Sequence, residues 1–251
     1  MLSKMVIGVT VIVLTLVHVG DAKMPDAGVQ NRKYVVLLGA SVGKAWNIES
    51  LPSRLTKSGS SPLAPAASRL TMFPYRFEYV GLYQFDKSPA LEQLLNRKQN
   101  KPHAIIIKEC AAYLPGDITF ENAKSLMTRW IAQCQEKGIV PIPTTVVPVT
   151  RSHDDKFKTH NPLKRAVKWI LGISMKTRIE QIIEYNDWIK DYAKQKGLIF
   201  LDLEAPLRIS TTDRFLRDDL TKGDGLHLNA EAYKLLDCIV IPTLEKIKFP
   251  N

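Results

Sequence analysis

Five short, nearly continuous apolar runs, separated by segments with helical spacing, limit what this chain can fold into more than any other feature. The runs are Tyr34–Leu38, Phe77–Val80, Ala104–Ile107, Val140–Val147 and Leu198–Leu201. Strands that are buried on both faces have such runs, because each face of the sheet packs against helices. The alternation of these strands with helices predicts a parallel sheet between two helical layers.

Three longer segments carry apolar residues three and four positions apart, which is the spacing of one helix face. These segments are Glu121–Glu136, Thr177–Gln195 and Asn229–Ile247. Gly197 is expected to end the second helix, because glycine readily adopts the left-handed conformation found after helix ends. A chain of 251 residues is long enough for one α/β domain of this kind.

Residues 1–22 have the layout of a secretory signal peptide. Lys4 precedes an apolar stretch from Met5 to Val19, and small residues follow at the −3 and −1 positions of a cleavage pattern. The stretch is short for a spanning helix, which needs about 20 residues. We therefore expect an exported domain over residues 23–251, secreted or periplasmic. A membrane anchor formed by the uncleaved segment is the alternative.

The chain is basic, with 35 Lys and Arg against 25 Asp and Glu and a net charge of +10. The positive charge is spread along the sequence without a basic tail, so we expect no nucleic-acid partner. Residues 151–178 form a basic insertion that contains a short amphipathic segment, Leu163–Ile173. This insertion is interpreted as a solvated cover or as a surface for peripheral contact with an anionic membrane or glycan. The Ser- and Pro-rich stretch Lys57–Ser68 predicts a loop.

Few cysteines and histidines are available for cross-links or metal binding. Within the insertion, His153-Asp154-Asp155 is interpreted as a solvated loop, and no histidine spacing is typical of a metal site. We expect no cofactor. An exported chain could form at most one internal disulfide from its cysteines, but burial as small apolar side chains is the simpler interpretation. The cysteines are Cys110, Cys134 and Cys238.

A serine follows the first predicted strand, in the segment Gly39-Ala40-Ser41-Val42-Gly43. Ligands of parallel sheets bind beyond the carboxyl ends of the strands, which is where a nucleophile is expected. Three residues separate Gly39 from Gly43-Lys44, whereas a phosphate-binding P-loop needs four, and the dinucleotide fingerprint is also broken. The segment does fit the G-x-S-x-G pattern of a nucleophile elbow.

An Asp-x-x-His pair stands just before the last predicted helix, in Asp224-Gly225-Leu226-His227. With Ser41 it completes the order Ser, Asp, His along the chain. In a triad of this kind, His227 would take the proton of Ser41, and Asp224 would orient the imidazole and stabilise its cation.

These motifs resemble those of the SGNH/GDSL hydrolase family over about residues 33–247. Gly39-Ala40-Ser41 resembles the family's Gly-Asp-Ser block, Asp224–His227 resembles its final block, and Gly81 resembles the block that helps to form the oxyanion hole. The resemblance implies a flavodoxin-like three-layer α/β/α sandwich with a five-stranded parallel sheet and no obligatory cofactor. It also implies an esterase with a Ser41–Asp224–His227 triad and an oxyanion hole formed by the amides of Ser41 and Gly81.

One block of the family is replaced. Where the family has Gly-x-Asn-Asp after the third strand, this chain has Lys108-Glu109-Cys110, which we consider candidates for substrate contact. The family's Asn donates to the oxyanion, and loss of one such donor costs about 10²–10³ in turnover.

Two main hypotheses follow from this replacement. The first is an exported serine esterase or acyl transferase that acts on a small ester or an O-acylated glycan. The second is an SGNH-scaffold protein with little or no turnover that binds glycan or takes part in envelope assembly. A lipid-active acylhydrolase is a third interpretation.

Overall fold

A computed structural model of the protein describes residues 32–57, 73–114, 119–157 and 176–249, together with positions 163 and 170. The predicted leader lies outside the described residues, as do most of the Ser- and Pro-rich loop and most of the amphipathic segment. No helix in the described ranges is both long and apolar enough to cross a bilayer.

Four parallel strands form the sheet of the described residues, in the order β2-β1-β3-β4. They are β1 (Lys33–Gly39), β2 (Tyr75–Gly81), β3 (Ala104–Ile107) and β4 (Val140–Pro143).

The prediction of a fifth strand at Leu198–Leu201 is wrong, because only Leu201 pairs, through an isolated bridge to Thr144. The Asp202 carboxylate accepts the amides of Glu204 and Ala205 and thereby turns the chain away from the sheet.

The three long predicted helices are present within a few residues of their expected bounds. The helix at residues 178–196 begins with a capping box between Thr177 and Glu180 and ends at Gly197 in the left-handed region. In the described residues the helices are α1 (Ser41–Trp46), α2 (Leu51–Lys57), α3 (Ser88–Leu95), α4 (Phe120–Glu136), α5 (Arg151–Phe157), α6 (Arg178–Lys196) and α7 (Ala230–Leu244).

Alternate residues of the strands face two separate apolar clusters. Val36 and Ile105 pack on one side with residues of α3, α4 and α6. Val35 and Ile106 pack on the other side with residues of α1, α2 and α7. The predicted three-layer α/β/α sandwich is therefore confirmed, with four strands rather than five.

The prediction that the cysteines are buried as small apolar side chains holds for two of the three. Cys110 and Cys134 are buried, whereas Cys238 is exposed on α7, and all three are free thiols.

Helices α1 and α7 are joined by hydrogen bonds between buried groups. The indole nitrogen of Trp46 donates to Asp237 over 2.8 Å, and the Tyr233 hydroxyl donates to the Val42 carbonyl over 3.2 Å. The contact of Trp46 with Asp237 lies four residues further along each helix than the contact of Val42 with Tyr233. The two helices therefore run in the same direction. Their first turns therefore lie at the same edge of the sheet, beyond the end of β1.

The substitution Asp237→Ala tests this link. It removes the acceptor of the buried Trp46 indole and the ion partner of Arg54, which donates to Asp237 over 2.7 Å. We expect the free energy of unfolding, measured with urea, to fall by about 2–3 kcal/mol. Glu231→Ala, on the exposed side of the same helix, is the control and should change it by less than about 0.5 kcal/mol. Equal losses in the two variants would contradict the role of Asp237.

Candidate functional site

Ser41 is half-buried at the turn between β1 and α1. As the first residue of its helix, it has a backbone amide with no acceptor inside the helix, so that amide is available to a ligand. The turn is supported from β2, where the Tyr79 hydroxyl lies 3.1 Å from the Gly39 carbonyl oxygen and 3.0 Å from that of Ala40. Tyr79 was not among the residues singled out from the sequence.

The two glycines of the G-x-S-x-G pattern allow neighbouring side chains to approach the turn closely. A Cβ on Gly43 would lie 3.1 Å from the ring of Tyr79, and one on Gly39 would lie 3.4 Å from the Cβ of Lys108. The first distance is tight for an added carbon atom, and the second is at the limit of ordinary contact. The absence of a side chain at Gly43 therefore lets the Tyr79 ring pack closely beside the Ser41 turn.

Asp224 and His227 form the predicted pair. The His227 Nδ1 lies 2.5 Å from one carboxylate oxygen of Asp224, and the other oxygen accepts the amides of Leu226 and His227. Burial by itself raises the pKa of Asp224, but these hydrogen bonds outweigh it and hold the pKa at about 2. Asp224 is therefore an anion at neutral pH. Both side chains remain partly open to solvent, at 39% for His227 and 48% for Asp224.

Ser41 and His227 lie at the beginnings of α1 and α7, and the parallel packing of these helices places them at one edge of the sheet. Among the described residues, however, no hydrogen bond joins the Ser41 hydroxyl to the His227 ring. Catalytic hydrogen bonds often tighten only when substrate binds. The Asp224–His227 contact of the predicted triad is therefore present, and the role of Ser41 as nucleophile stays a prediction.

The backbone of β2 determines the direction of the Gly81 amide. The Leu82 amide donates to Gly39 on β1, whereas the Tyr79 amide donates outward to the Glu49 carboxylate. Successive amides of a strand point to opposite sides, so the Gly81 amide faces away from β1, on the side of Tyr79. The oxyanion roles of the Gly81 and Ser41 amides stay predictions.

The three residues that replace the family's Gly-x-Asn-Asp block point inward. Lys108, Glu109 and Cys110 are all buried, and Lys108 Nζ donates to the Glu109 carbonyl over 2.9 Å. In this arrangement their side chains do not reach solvent. Contact with substrate, the expectation from the sequence, would require them to move, and it stays a prediction.

A buried ion pair accompanies this replacement. Lys87, which sequence reasoning missed, is fully buried and lies 2.9 Å from the Glu109 carboxylate. Burial raises the pKa of Glu109 to about 7, and Lys87 opposes this only in part. Burial also lowers the pKa of Lys108. The second oxygen of Glu109 has no hydrogen-bond partner among the described residues.

The interpretation of His153-Asp154-Asp155 as a solvated loop is wrong, because all three residues are helical and the first two are buried. The segment lies on α5, where His153 is 8% and Asp154 is 1% exposed. The His153 ring contacts the backbone of Asp224, so this residue borders the candidate site. Nothing in the local sequence distinguishes it from a solvated polar run. No group of three His, Cys, Asp or Glu side chains in the described ranges could hold a metal ion.

Comparison with known proteins shows the fold. No protein-family model and no curated protein matches the sequence. A GDSL-like lipase from Bacteroides thetaiotaomicron is similar in structure, with 18% identity, a TM-score of 0.57, and coverage of 85% of this chain and 88% of that chain. A lipase/acylhydrolase from Enterococcus faecalis has 15% identity, a TM-score of 0.53, and coverage of 87% of this chain and 99% of that chain.

A third similar structure is that of a psychrotrophic esterase from a Pseudoalteromonas species, inhibited by monoethylphosphonate. It has 11% identity, a TM-score of 0.53, and coverage of 85% of this chain and 97% of that chain. The chain thus has the fold of GDSL-type lipases and acylhydrolases, and the resemblance inferred from its motifs is confirmed at the level of fold.

Substitutions at the buried ion pair test its energetics. Lys87→Met leaves the Glu109 carboxylate buried without its cation, so we expect the free energy of unfolding to fall by about 3–5 kcal/mol. The double variant Lys87→Met/Glu109→Leu removes both charges and should lose far less. Lys234→Met breaks an exposed pair with Glu231 and is the control, with an expected loss below about 1 kcal/mol.

The Lys87→Met defect should also depend on pH. Without Lys87, Glu109 binds a proton more readily in the folded chain than in the unfolded chain. Stability therefore falls as the pH rises above the unfolded value of the Glu109 pKa. We expect a smaller defect at pH 5 than at pH 8 in chemical denaturation. A defect that is independent of pH would contradict the burial of a charged Glu109.

Proposed function

We propose that this protein is an exported serine hydrolase that cleaves ester bonds, with Ser41 as nucleophile, His227 as general base and acid, and Asp224 as the orienting carboxylate. The hydrogen bond between Asp224 and His227 carries the proposal. The fold shared with GDSL-type lipases and acylhydrolases supports it.

The hydrogen bonds of the pair suit the acid–base role of His227. Because Asp224 is an anion and can only accept, Nδ1 of His227 carries the proton of their hydrogen bond, which leaves Nε2 able to accept one from Ser41. The Ser41 oxygen would then attack the ester carbonyl while its proton passes to Nε2. The same proton leaves with the alcohol when the tetrahedral intermediate collapses to an acyl-enzyme.

The second half of the reaction reverses these roles. Water, or a sugar hydroxyl in the case of acyl transfer, gives its proton to His227 and attacks the acyl carbonyl. As this second tetrahedral intermediate collapses, His227 returns the proton to the Ser41 oxygen, and the carboxylic acid or the new ester leaves. The developing oxyanion would accept from the Ser41 amide and, as predicted from the resemblance, from the Gly81 amide. We propose a small ester or an O-acylated glycan as substrate, because residues 1–22 predict export.

A binding protein with little turnover is the second candidate function, and one observation favours it. Lys108, Glu109 and Cys110 stand in place of the family's oxyanion Asn, and none of them has an amide side chain. All three are buried, and Glu109 is paired with Lys87. Even an active enzyme of this design should be about 10²–10³ slower than one with the complete hole.

Labelling with a fluorophosphonate probe separates the two functions. We expect residues 23–251 to be modified once, at Ser41, and the peptide map to place the label there. Ser41→Ala should not be labelled, whereas Ser210→Ala, at an exposed serine outside the triad, should react as the wild type does. A folded wild-type protein that remains unlabelled would sink the hydrolase proposal and favour the binding function.

The substitution Asp224→Asn tests the orienting carboxylate. Its amide retains the shape but can present a donor to Nδ1, which favours the wrong tautomer of His227. We expect kcat for p-nitrophenyl acetate to fall by about 10³–10⁴ with KM little changed. Asp219→Asn, in the preceding exposed turn where Asp219 pairs with Arg217, is the matched control and should retain activity. Equal rates in Asp224→Asn and wild type would exclude the triad.

A further inference from the structure

The buried histidine of α5 contacts the segment that carries Asp224. The Nδ1 of His153 lies 3.0 Å from the Asp224 carbonyl oxygen, and its Nε2 lies 3.0 Å from Nη1 of Arg178. Both side chains are 8% exposed. One imidazole therefore bridges the loop before α7 and the first turn of α6.

The chemistry of the partners determines the tautomer of His153. Arginine can only donate hydrogen bonds, so Nε2 of His153 must accept. The ring proton of the neutral imidazole is then on Nδ1, where it donates to the Asp224 carbonyl. Arg178 therefore donates a hydrogen bond to His153, and His153 donates one to the Asp224 carbonyl.

The next carbonyl group of the loop, that of Gly225, is held by the residue that precedes α5. The Thr150 amide donates to the Gly225 carbonyl over 3.0 Å, so consecutive carbonyl groups of the loop are both bound. Gly225 has a φ of 75°, and a Cβ there would lie 2.3 Å from Thr150 Oγ1 and 2.7 Å from His153 Cβ. Only glycine therefore lets the loop pack this closely against α5.

The two hydrogen bonds from Arg178 to His153 and from His153 to the Asp224 carbonyl, called the clamp below, are connected to the long helix α6. Arg178 is the first residue of α6, and the Ile179 amide next to it donates to the Asp154 carboxylate of α5 over 2.9 Å. Ile182 and Ile189 of α6 are fully buried in the core. These contacts connect the loop to the core through α6, although the Asp224 and His227 side chains are themselves partly exposed.

We propose that His153 and Arg178 are positioning residues that hold the backbone of Asp224 so that its carboxylate faces Nδ1 of His227. This inference rests on the proposed hydrolase function for its effect on rate, although the contact itself does not. His153 transfers no proton in the reaction. It acts through the geometry of the Asp224–His227 pair, whose alignment controls the basicity and orientation of the imidazole.

The test compares two histidines in kcat and KM for p-nitrophenyl acetate. His153→Leu removes both hydrogen bonds of the clamp. His103→Leu is the matched control, because Nδ1 of His103 accepts the Tyr34 amide at the opposite, amino end of the sheet. We expect His153→Leu to lower kcat about 10–100-fold with KM within twofold, since small misplacements near reacting groups have effects of this size. His103→Leu should retain the kcat of the wild type.

Two further variants keep the inference testable if His153→Leu fails to fold. His153→Gln can still donate to the Asp224 carbonyl and accept from Arg178, so it should recover most of the lost kcat. Arg178→Met removes the donor that selects the His153 tautomer and should lower kcat in the same direction. A merely structural role would lower the stability of all these variants without a change in the kcat of the folded fraction.

A second readout separates failure of this inference from failure of the proposed function. The Nδ1 proton of His227, shared with Asp224, should give a downfield proton NMR signal in the wild type and in His103→Leu, and the signal should weaken or vanish in His153→Leu. If the wild type resists fluorophosphonate but the signal depends on His153, the hydrolase proposal fails and the positioning role stands. If folded His153→Leu keeps the signal, the kcat and the labelling rate of the wild type, the positioning role is overturned.

Discussion

The parallel packing of α1 against α7 is the constraint on which the candidate site depends. The buried Trp46–Asp237 hydrogen bond and the contact between Tyr233 and Val42 fix the direction of one helix relative to the other. Ser41 begins the first helix and His227 precedes the second, so residues from distant parts of the sequence lie at the same edge of the sheet. Loss of this packing would separate the proposed nucleophile from its base without altering either side chain.

The candidate site combines the hydrogen-bonded pair Asp224–His227 with buried charged residues next to the Ser41 turn. Asp224 is ionised, hydrogen-bonded to His227 and held through its backbone by α5. Next to the Ser41 turn, Lys108 and Glu109 are buried, and Glu109 is paired with Lys87. A buried ion pair contributes little net stability, because desolvation offsets the attraction between its members.

Hydrophobic patterning predicted most of the architecture. Strands of a parallel sheet are buried on both faces and therefore have continuous apolar runs, and each run can be recognised from its own segment of sequence. The prediction failed at Leu198–Leu201, where only Leu201 forms a bridge and the Asp202 carboxylate then accepts the amides of the residues that follow. It failed again at His153 and Asp154. A polar segment is buried only when partners elsewhere in the chain satisfy it, and those partners, Arg178 and Asp224 for His153 and Ile179 for Asp154, are not local.

By itself, the sequence determined the layered α/β class, the three long helices, and the identity of Ser41, Asp224 and His227 as candidates, since these follow from periodicity and from short motifs. Only the tertiary structure decided which groups support them. Three of these groups contact a partner on another element: Tyr79 contacts the carbonyl of Gly39, Lys87 contacts the carboxylate of Glu109, and His153 contacts the carbonyl of Asp224. Hydrogen bonds and ion pairs of this kind depend on distances across the fold. Those distances cannot be inferred from the spacing of residues along the chain.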